Sequence, residues 1–233
     1  MNKDLLKSEL LLRNVNVNDE QLDNLFSFMK LTLETNEKFN LTAIKDEDQF
    51  VEKMIFDSAL AVVGNDLSNL NVIDLGTGAG FPGMVLYFLN PSINLTLLDS
   101  SNKKINYLAE NAKNNNYSIN CVCDRAENFA KQNIEKYDYA FARAVAPLSI
   151  LVELVAPILK IGGYFVAMKG PGAEEEIEEA SKAIKKLGLK LVKIYNDTLP
   201  ISKEERNLIY IIKEKKTDTK YPREYSEIKK RHL

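Results

Sequence analysis

Histidine, cysteine and tryptophan are almost missing from this sequence of 233 residues, which contains one, two and none of them, respectively. The histidine, His232, stands next to the C-terminal residue, which argues against histidine triads, general bases and metal ligands. The cysteines, Cys121 and Cys123, have no second pair that could complete a zinc site. We interpret them as packing residues on a strand, and we expect no metal and no catalytic side chain.

Long apolar segments are also absent. No run approaches the roughly 20 apolar residues that a membrane-spanning helix needs, and the first residues, MNKDLLKSELL, carry charges where a signal peptide has its apolar core. We therefore expect a cytoplasmic protein without membrane contact. The length and the 45 % apolar content suit one α/β domain with an extension, and a monomer is the favoured oligomeric state.

An excess of charge of one sign is missing as well, because the net charge at pH 7 is only −2. Overall charge therefore gives no reason to expect a nucleic-acid partner. Residues 213–233 differ, with eight Lys or Arg against four acidic residues. This basic segment, which includes Tyr221 and Tyr225, is compatible with contact to a phosphate backbone and equally with a solvated terminus.

The most informative stretch is NVIDLGTGAGFPG, residues 71–83. In it an apolar run leads into three glycines at alternate positions, Gly76, Gly78 and Gly80. The pattern predicts a buried strand, a glycine turn and a helix N-terminus, which together suit a nucleotide-like ligand. A turn without a ligand is the alternative. Phe81 stands where the dinucleotide fingerprint needs its third glycine, and no G-K-[ST] follows as in a P-loop.

The chain is predicted to have three parts. These are an N-terminal helical extension packed on the main domain (1–70), a main domain of alternating strands and helices (71–213) and the basic tail (214–233). Alternation of strands and helices is typical of a parallel sheet covered by helices. The last two predicted strands, Lys190–Tyr195 and Asn207–Lys213, have no helix between them and should pair antiparallel.

One connection of the main domain is predicted in more detail. A helix over Leu148–Leu159 should be turned by Gly162 and Gly163 into a strand over Tyr164–Met168. With the antiparallel pair, seven strands result. This arrangement resembles the class I methyltransferase fold.

Polar residues at the ends of the predicted strands are the candidate site, because ligands of doubly wound sheets bind outside the carboxyl ends of the strands. Asp99 can accept the ribose hydroxyls of a nucleotide, or it is a turn residue. Ala126 and Glu127 are placed to contact adenine, although Glu127 also suits a helix N-terminus. Asp74 is expected near an ammonium group of the bound ligand or near a water that bridges to it.

Two cations follow the later strands. Arg143, in FARAVAPL, needs an acidic or phosphate partner if it is buried. It can pair with a cofactor carboxylate or a substrate phosphate, or form a structural ion pair with Glu153 or another acid. Lys169, in AMKGPG, is either a substrate-facing cation or a solvated strand end.

Several motifs together carry a more specific resemblance. The D-x-G-x-G-x-G spacing resembles motif I of S-adenosylmethionine-dependent methyltransferases. The set DLGTGAGFPG, LLDSSNKK, DRAE, FARAVAPL and MKGPGAEEE, with NLTAI upstream, resembles the glucose-inhibited division protein B family. Members of that family are bacterial methyltransferases that act on guanine N7 in small-subunit (16S) ribosomal RNA. The resemblance covers residues 40–172 and continues more weakly to the end.

The resemblance implies S-adenosylmethionine as cofactor and 16S ribosomal RNA or the small ribosomal subunit as partner. It implies two sets of site residues. Those expected to bind the cofactor, together with the strand-end candidates, are Gly76, Gly78, Phe81, Asp99, Ala126, Glu127 and Arg143, and those expected to bind RNA are Arg143, Lys169 and Arg223. The sequence departs from the family at Lys53-Met54, where R-H is expected, and it lacks the proline-rich basic ending.

Guanine N7 carries a lone pair in the neutral base, so methyl transfer to it needs orientation and charge stabilisation and no general base. This chemistry suits a chain without a catalytic histidine. Two other hypotheses stay open. One is a methyltransferase of the same fold that acts on a small molecule or a protein, and the other is a non-catalytic ribosome assembly factor.

Overall fold

The computed structural model describes residues 1–233. The N-terminal part is helical, as predicted, and comprises α1 (Lys3–Leu11), α2 (Asp19–Lys38), α3 (Glu47–Phe50), a π-helical segment (Val51–Phe56), α4 (Asp57–Ala59) and a 3₁₀ turn (Leu60–Val62). Helix α2 begins after Asn18, whose side chain accepts a hydrogen bond from the Gln21 N–H while the Gln21 side chain accepts one from the Asn18 N–H. This capping box fixes the start of the helix.

Seven strands form the centre of the protein. They are β1 (Asn71–Leu75), β2 (Asn94–Asp99), β3 (Ile119–Cys123), β4 (Tyr137–Arg143), β5 (Leu159–Lys169), β6 (Leu189–Thr198) and β7 (Glu205–Lys213). They make one sheet in the order β3-β2-β1-β4-β5-β7-β6. All neighbours pair parallel except β7, which pairs antiparallel with both β5 and β6. The predicted fold class and its antiparallel terminal pair are confirmed.

Six more helices connect or follow the strands. They are α5 (Gly83–Leu89), α6 (Asn102–Asn114), α7 (Ala126–Gln132), α8 (Leu148–Val155), α9 (Ala173–Lys186) and α10 (Tyr225–Lys230). Helix α10 lies in the basic tail, where the sequence pattern predicted no helix. No helix combines the length and the apolar character needed to cross a bilayer.

The connection between α8 and β5 differs from the prediction. The helix ends at Val155 and not at Leu159, because Pro157 has no N–H to continue the helical hydrogen bonds. Strand β5 already begins at Leu159 and runs through the two glycines that were predicted as a turn. The pairing with β4 jumps between these points, from Tyr137–Leu159 to Tyr139–Tyr164. The glycines therefore form an irregularity inside a long strand.

Two hydrophobic cores lie on the two faces of the sheet. One is shared between the N-terminal helices and the sheet domain, since Leu25 and Phe50 pack in the same cluster as Phe81. The other lies between the sheet and helices α8 and α9. Cys121 packs at the edge of the first core, as interpreted from the sequence, but Cys123 is exposed at the end of β3, so its interpretation as a packing residue was wrong.

Candidate functional site

The glycine turn follows β1 directly. Gly76, Gly78 and Gly80 have φ values of +74°, +60° and +100°, a region that favours glycine. A Cβ on Gly76 would lie 2.5 Å from Cγ2 of Val145. At Gly78 the nearest atoms to such a Cβ would be 4.0 Å away. The turn therefore packs tightly against the loop after β4 at Gly76. At Gly78 it is open to a cavity.

Asp74, at the end of β1, stabilises this turn through hydrogen bonds. Its side chain is fully buried, and its Oδ2 atom accepts hydrogen bonds from Thr77 Oγ1 (2.7 Å) and from the Gly83 N–H (2.8 Å). Burial raises the pKa of Asp74 to about 6, although the bonds from Thr77 and Gly83 act in the opposite direction. Asp74 lines neither of the cavities described next, so its place near a ligand ammonium group or a bridging water stays a prediction.

Two cavities lie at the carboxyl ends of the strands. The larger has a volume of about 600 Å³ and the smaller about 300 Å³. They adjoin, since Gly76, Lys104 and Ala144 line both. Together they form one elongated two-part cleft above the sheet.

The structure brings most of the predicted site residues to this cleft. Those that line the larger cavity are Gly76, Gly78, Phe81, Arg143 and Lys169, and those that line the smaller cavity are Gly76, Asp99, Ala126 and Glu127. Arg223 lines neither. The candidates predicted from the strand ends therefore lie together at the two adjoining cavities, whereas Arg223 lies outside them.

Asp99 joins the end of β2 to the glycine turn. Its Oδ2 atom accepts a hydrogen bond of 2.9 Å from the Gly78 N–H, and its Oδ1 atom accepts one of 2.9 Å from the Ser101 N–H. The carboxylate remains half-buried at the wall of the smaller cavity. Each oxygen can accept a further hydrogen bond, so the group suits a ligand with hydroxyl groups.

Glu127 is the buried acid at the start of α7. Its Oε1 atom lies 3.2 Å from Nε of Arg125, and its side chain is 8 % exposed. Because the Arg125 side chain is 53 % exposed, this cation remains partly hydrated at the rim of the smaller cavity.

Arg143 is held by the N-terminal part of the chain. Its Nη1 atom donates to the Lys53 carbonyl (2.8 Å) and to Oδ2 of Asp57 (3.2 Å), and its Nη2 atom lies 3.1 Å from the Met54 sulfur. A structural ion pair with Glu153 or another acid was one of the expectations for Arg143, and the acid is Asp57. The two positions at which the sequence departs from the family thus contact Arg143 directly.

Arg206, on β7, is a site residue that the sequence analysis missed. Its Nε atom lies 3.2 Å from Oδ2 of Asp57, the same oxygen that Arg143 contacts, and its Nη2 atom lies 2.9 Å from Glu204. Burial lowers the pKa of Arg206, but the charges of Asp57 and Glu204 outweigh it and raise that pKa. No local motif surrounds Arg206 that would have identified it.

Lys169 is withdrawn from solvent at the end of β5. Its Nζ atom donates to the Ala146 carbonyl (2.8 Å) and pairs with Glu176 (2.7 Å), and its side chain is only 10 % exposed. The alternative of a solvated strand end is therefore wrong.

The larger cavity is predominantly cationic. Its charged lining residues are the cations Lys53, Lys104, Arg143, Lys169 and Arg206 and the acids Asp57 and Glu176. No group of three or more His, Cys, Asp or Glu side chains is arranged to hold a metal ion. The cavity therefore suits an anionic ligand.

Comparison with known proteins adds to this geometry. The family described as "GidB: rRNA small subunit methyltransferase G" matches residues 21–209. The chain is 41 % identical to the ribosomal RNA small subunit methyltransferase G of Bacillus cytotoxicus, over 96 % of this chain and 95 % of that protein. It is 43 % identical to the protein of the same name from Alkaliphilus metalliredigens, over 89 % and 88 % of the two chains.

Two solved structures share the fold at low identity. A SAM-dependent methyltransferase from Aquifex aeolicus has a TM-score of 0.53 at 15 % identity, over 77 % of this chain and 98 % of that one. Aeropyrum pernix fibrillarin, solved with natively bound S-adenosyl-L-methionine, has a TM-score of 0.51 at 14 % identity, over 67 % and 73 % of the chains.

Proposed function

The chain belongs to the rRNA small subunit methyltransferase G family, and from this membership we propose that it methylates N7 of a guanine in 16S ribosomal RNA. The resemblance found in the sequence is thereby confirmed at the level of the family. The protein is an S-adenosylmethionine-dependent methyltransferase acting on small-subunit rRNA. Methylation at guanine N7 and the roles of individual residues are proposals that go beyond the family membership.

The cleft fits the cofactor. At Gly78, a Cβ would project toward the open space of the larger cavity, so the main chain can be approached closely there. Asp99 supplies a carboxylate for ribose hydroxyls beside the smaller cavity, and Arg143 supplies a guanidinium for a carboxylate in the larger one. We assign the adenosine part to the smaller cavity, with Ala126 and Glu127, and the methionine part to the glycine turn.

When bound, S-adenosylmethionine supplies a methyl group on a positively charged sulfur. The N7 lone pair is available without removal of a proton. The chain's own residues therefore have to orient guanine N7 and exclude water, and they need not supply a general base. The only histidine, His232, lies outside both cavities, which agrees with a reaction that needs no general base. Its Nδ1 atom lies 3.1 Å from Ser149 Oγ. We infer that no side chain moves a proton in the transfer step.

The excess of cations around the larger cavity is the structural observation that supports RNA as the substrate. Five cationic side chains line it against two acidic ones, and they still outnumber the acids when Glu204, which pairs with Lys53 and Arg206, is included. Arg143 and Arg206 converge on one oxygen of Asp57. Guanidinium groups in this position suit phosphate groups that flank a target base. A neutral small molecule would not require this charge.

We propose that the enzyme acts in the cytoplasm, where small-subunit rRNA is found, and we keep the monomer as the favoured oligomeric state.

The test is nucleotide mapping of small-subunit RNA from cells with and without the gene, combined with methyl transfer by the purified protein to RNA or subunits from the deficient cells. We expect one guanine to lose its N7 methyl group in the deficient cells and to regain it in vitro. An unchanged RNA with intact cofactor binding would indicate a small-molecule or protein substrate. A protein that binds no S-adenosylmethionine would indicate a non-catalytic factor.

A further inference from the structure

The last residues of the chain, 221–233, fold back onto the sheet domain. We call them the docked tail. Tyr221 is buried in the core that contains α8 and α9, and Ile228 of α10 is fully buried against Ile150 and Leu154 of α8. The tail is thus packed onto the outside of α8 by apolar side chains at two separate points.

An ion pair anchors the docked tail between these points. Arg223 donates to both oxygens of Glu153, at 2.8 Å through Nε and 2.7 Å through Nη2, and its main-chain N–H donates to Oε1 at 3.0 Å. Glu153 lies on α8 and is 0 % exposed. A second pair, between Glu224 and Lys131, ties the tail to α7. The two-pronged geometry makes Arg223 a structural anchor of the tail.

The anchored tail places Tyr225 at the smaller cavity. Tyr225 lines this cavity together with Asp99, Ala126 and Glu127. The Arg125 guanidinium lies 5.0 Å from the centre of the Tyr225 ring. The ring is therefore held at the cavity by a cation–π contact as well as by the docking of its helix.

The cavity and the docked tail share part of their wall. Leu154 packs against Ile228 and also lines the smaller cavity, and Ala126 and Ala146 likewise touch both the tail cluster and the cavity. Tyr225 is the aromatic side chain among the residues that line this cavity. A flat aromatic face at a cavity of about 300 Å³ suits stacking with a flat heterocycle.

We propose that the docked tail forms the outer wall of the adenine end of the cofactor site and that the Tyr225 ring stacks on the adenine. The inference rests on the proposed placement of the adenosine part in the smaller cavity. It assigns the tail to cofactor binding, whereas the basic charge of the sequence suggested a contact to RNA. A variant without the tail should therefore lose affinity for the cofactor even when no RNA is present.

The first experiment measures binding by calorimetry with the full chain and no RNA, using S-adenosylhomocysteine and 5′-methylthioadenosine as probes. Base–aromatic stacking predicts that Tyr225→Ala weakens both probes by about tenfold, because both contain adenine. Tyr225→Phe keeps the ring and should stay within about twofold of the wild type, since ring stacking needs no hydroxyl. Unchanged affinity of a folded Tyr225→Ala protein would overturn the inference.

The second experiment uses the absence of tryptophan from the chain. Tyr225→Trp introduces a single indole at the cavity, and its fluorescence should change saturably on titration with S-adenosylhomocysteine. Ile161→Trp is the matched control, because Ile161 is 58 % exposed and lies near the start of β5, at the opposite end of the strand from the cleft. Equal responses of the two variants, or no response at position 225 while calorimetry detects binding, would count against stacking.

These outcomes are separable from a failure of the proposed function. A wild-type protein that binds neither probe contradicts the cofactor site as a whole. A wild-type protein that binds both while position 225 has no effect contradicts only the role of the tail.

Discussion

Arg143 on β4 and Asp57 on α4 form an ion pair of 3.2 Å with side chains that are only 13 % and 7 % exposed. Arg206 approaches the same carboxylate oxygen, also at 3.2 Å. The other oxygen, Oδ1, is buried without a hydrogen-bond partner. One carboxylate oxygen therefore contacts two guanidinium groups where the N-terminal helices meet the sheet, and Glu204 is the second acidic partner of Arg206.

Removal of this carboxylate should destabilise the protein strongly. Asp57→Ala leaves Arg143 without an acidic partner and Arg206 with only Glu204, and we expect a loss of about 3 kcal/mol in the free energy of unfolding. Urea denaturation monitored by circular dichroism measures it. Asp218→Ala is the control, because Asp218 pairs with Lys220 at the surface, and its denaturation midpoint should not change. A midpoint for Asp57→Ala equal to that of the control would contradict the buried pair.

The anchor of the docked tail gives a second prediction. Glu153→Ala removes the partner of Arg223, and a loss of about 3 kcal/mol in docking free energy should raise the rate of tryptic cleavage within the tail by about a hundredfold. Limited proteolysis followed by mass spectrometry locates the cuts. Lys131→Ala breaks only the exposed pair with Glu224 and should change the rate little. Equal cleavage of both variants would speak against Glu153 as the anchor.

Asp74 should make stability depend on pH in an unusual direction. Burial raises its pKa in the folded protein to about 6, above the ordinary aspartate value of 3.8. The folded state therefore binds more protons than the unfolded state between these values, and this contribution to stability is lost as pH rises from about 4 to about 6.

Asp74→Asn removes the titration and keeps an oxygen that can accept from Thr77 and Gly83. Relative to the wild type, its free energy of unfolding should rise by about 3 kcal/mol between pH 4 and 6 and stay level above that. Denaturation series at half-unit pH steps provide the measurement. Parallel curves for the two proteins over this interval would show that Asp74 has an ordinary pKa.

Gly76 and Gly64 form a matched pair for testing the glycine turn. Both have left-handed φ values, +74° and +69°, but a Cβ on Gly64 meets nothing within 4 Å, whereas one on Gly76 would lie 2.5 Å from Val145. Substitution by alanine should cost about 1–2 kcal/mol of stability at either site through the backbone alone. Only Gly76→Ala should also lose binding of S-adenosylhomocysteine in calorimetry.

The clash at Gly76 can be relieved from the other side. The double variant Gly76→Ala, Val145→Ala should regain part of the affinity that Gly76→Ala loses, since it removes the two methyl groups nearest to the new Cβ. If the double variant binds no better than the single one, Gly76→Ala loses affinity through the backbone conformation of the turn and not through a clash with the loop after β4.

The glycine turn and the strand ends could be predicted from the sequence because their signals are local. Gly76, Asp99 and Glu127 each stand at a fixed place after an apolar strand, and parallel strands bring such places together. The partner of Arg143 could not be found in this way, since Asp57 precedes it by 86 residues and the two meet only through tertiary packing.

The missed elements have similar explanations. Arg206 occupies an ordinary position in an antiparallel strand, where nothing in the alternation of side chains marks it as part of a cavity. Helix α10 has six residues, which is too short for helical periodicity to be recognised. Ile228, which packs the helix against α8, therefore gave no signal. Tyr225, which reaches the cleft, was noted only as an aromatic residue in a basic segment.

Leu154 belongs at once to the wall of the smaller cavity and to the cluster under the docked tail. If the Tyr225 ring stacks on adenine as proposed, occupancy of the cavity and docking of the tail are linked equilibria, and linkage is reciprocal. The factor by which a closed tail tightens adenosine binding is the factor by which bound adenosine shifts the tail toward its closed form.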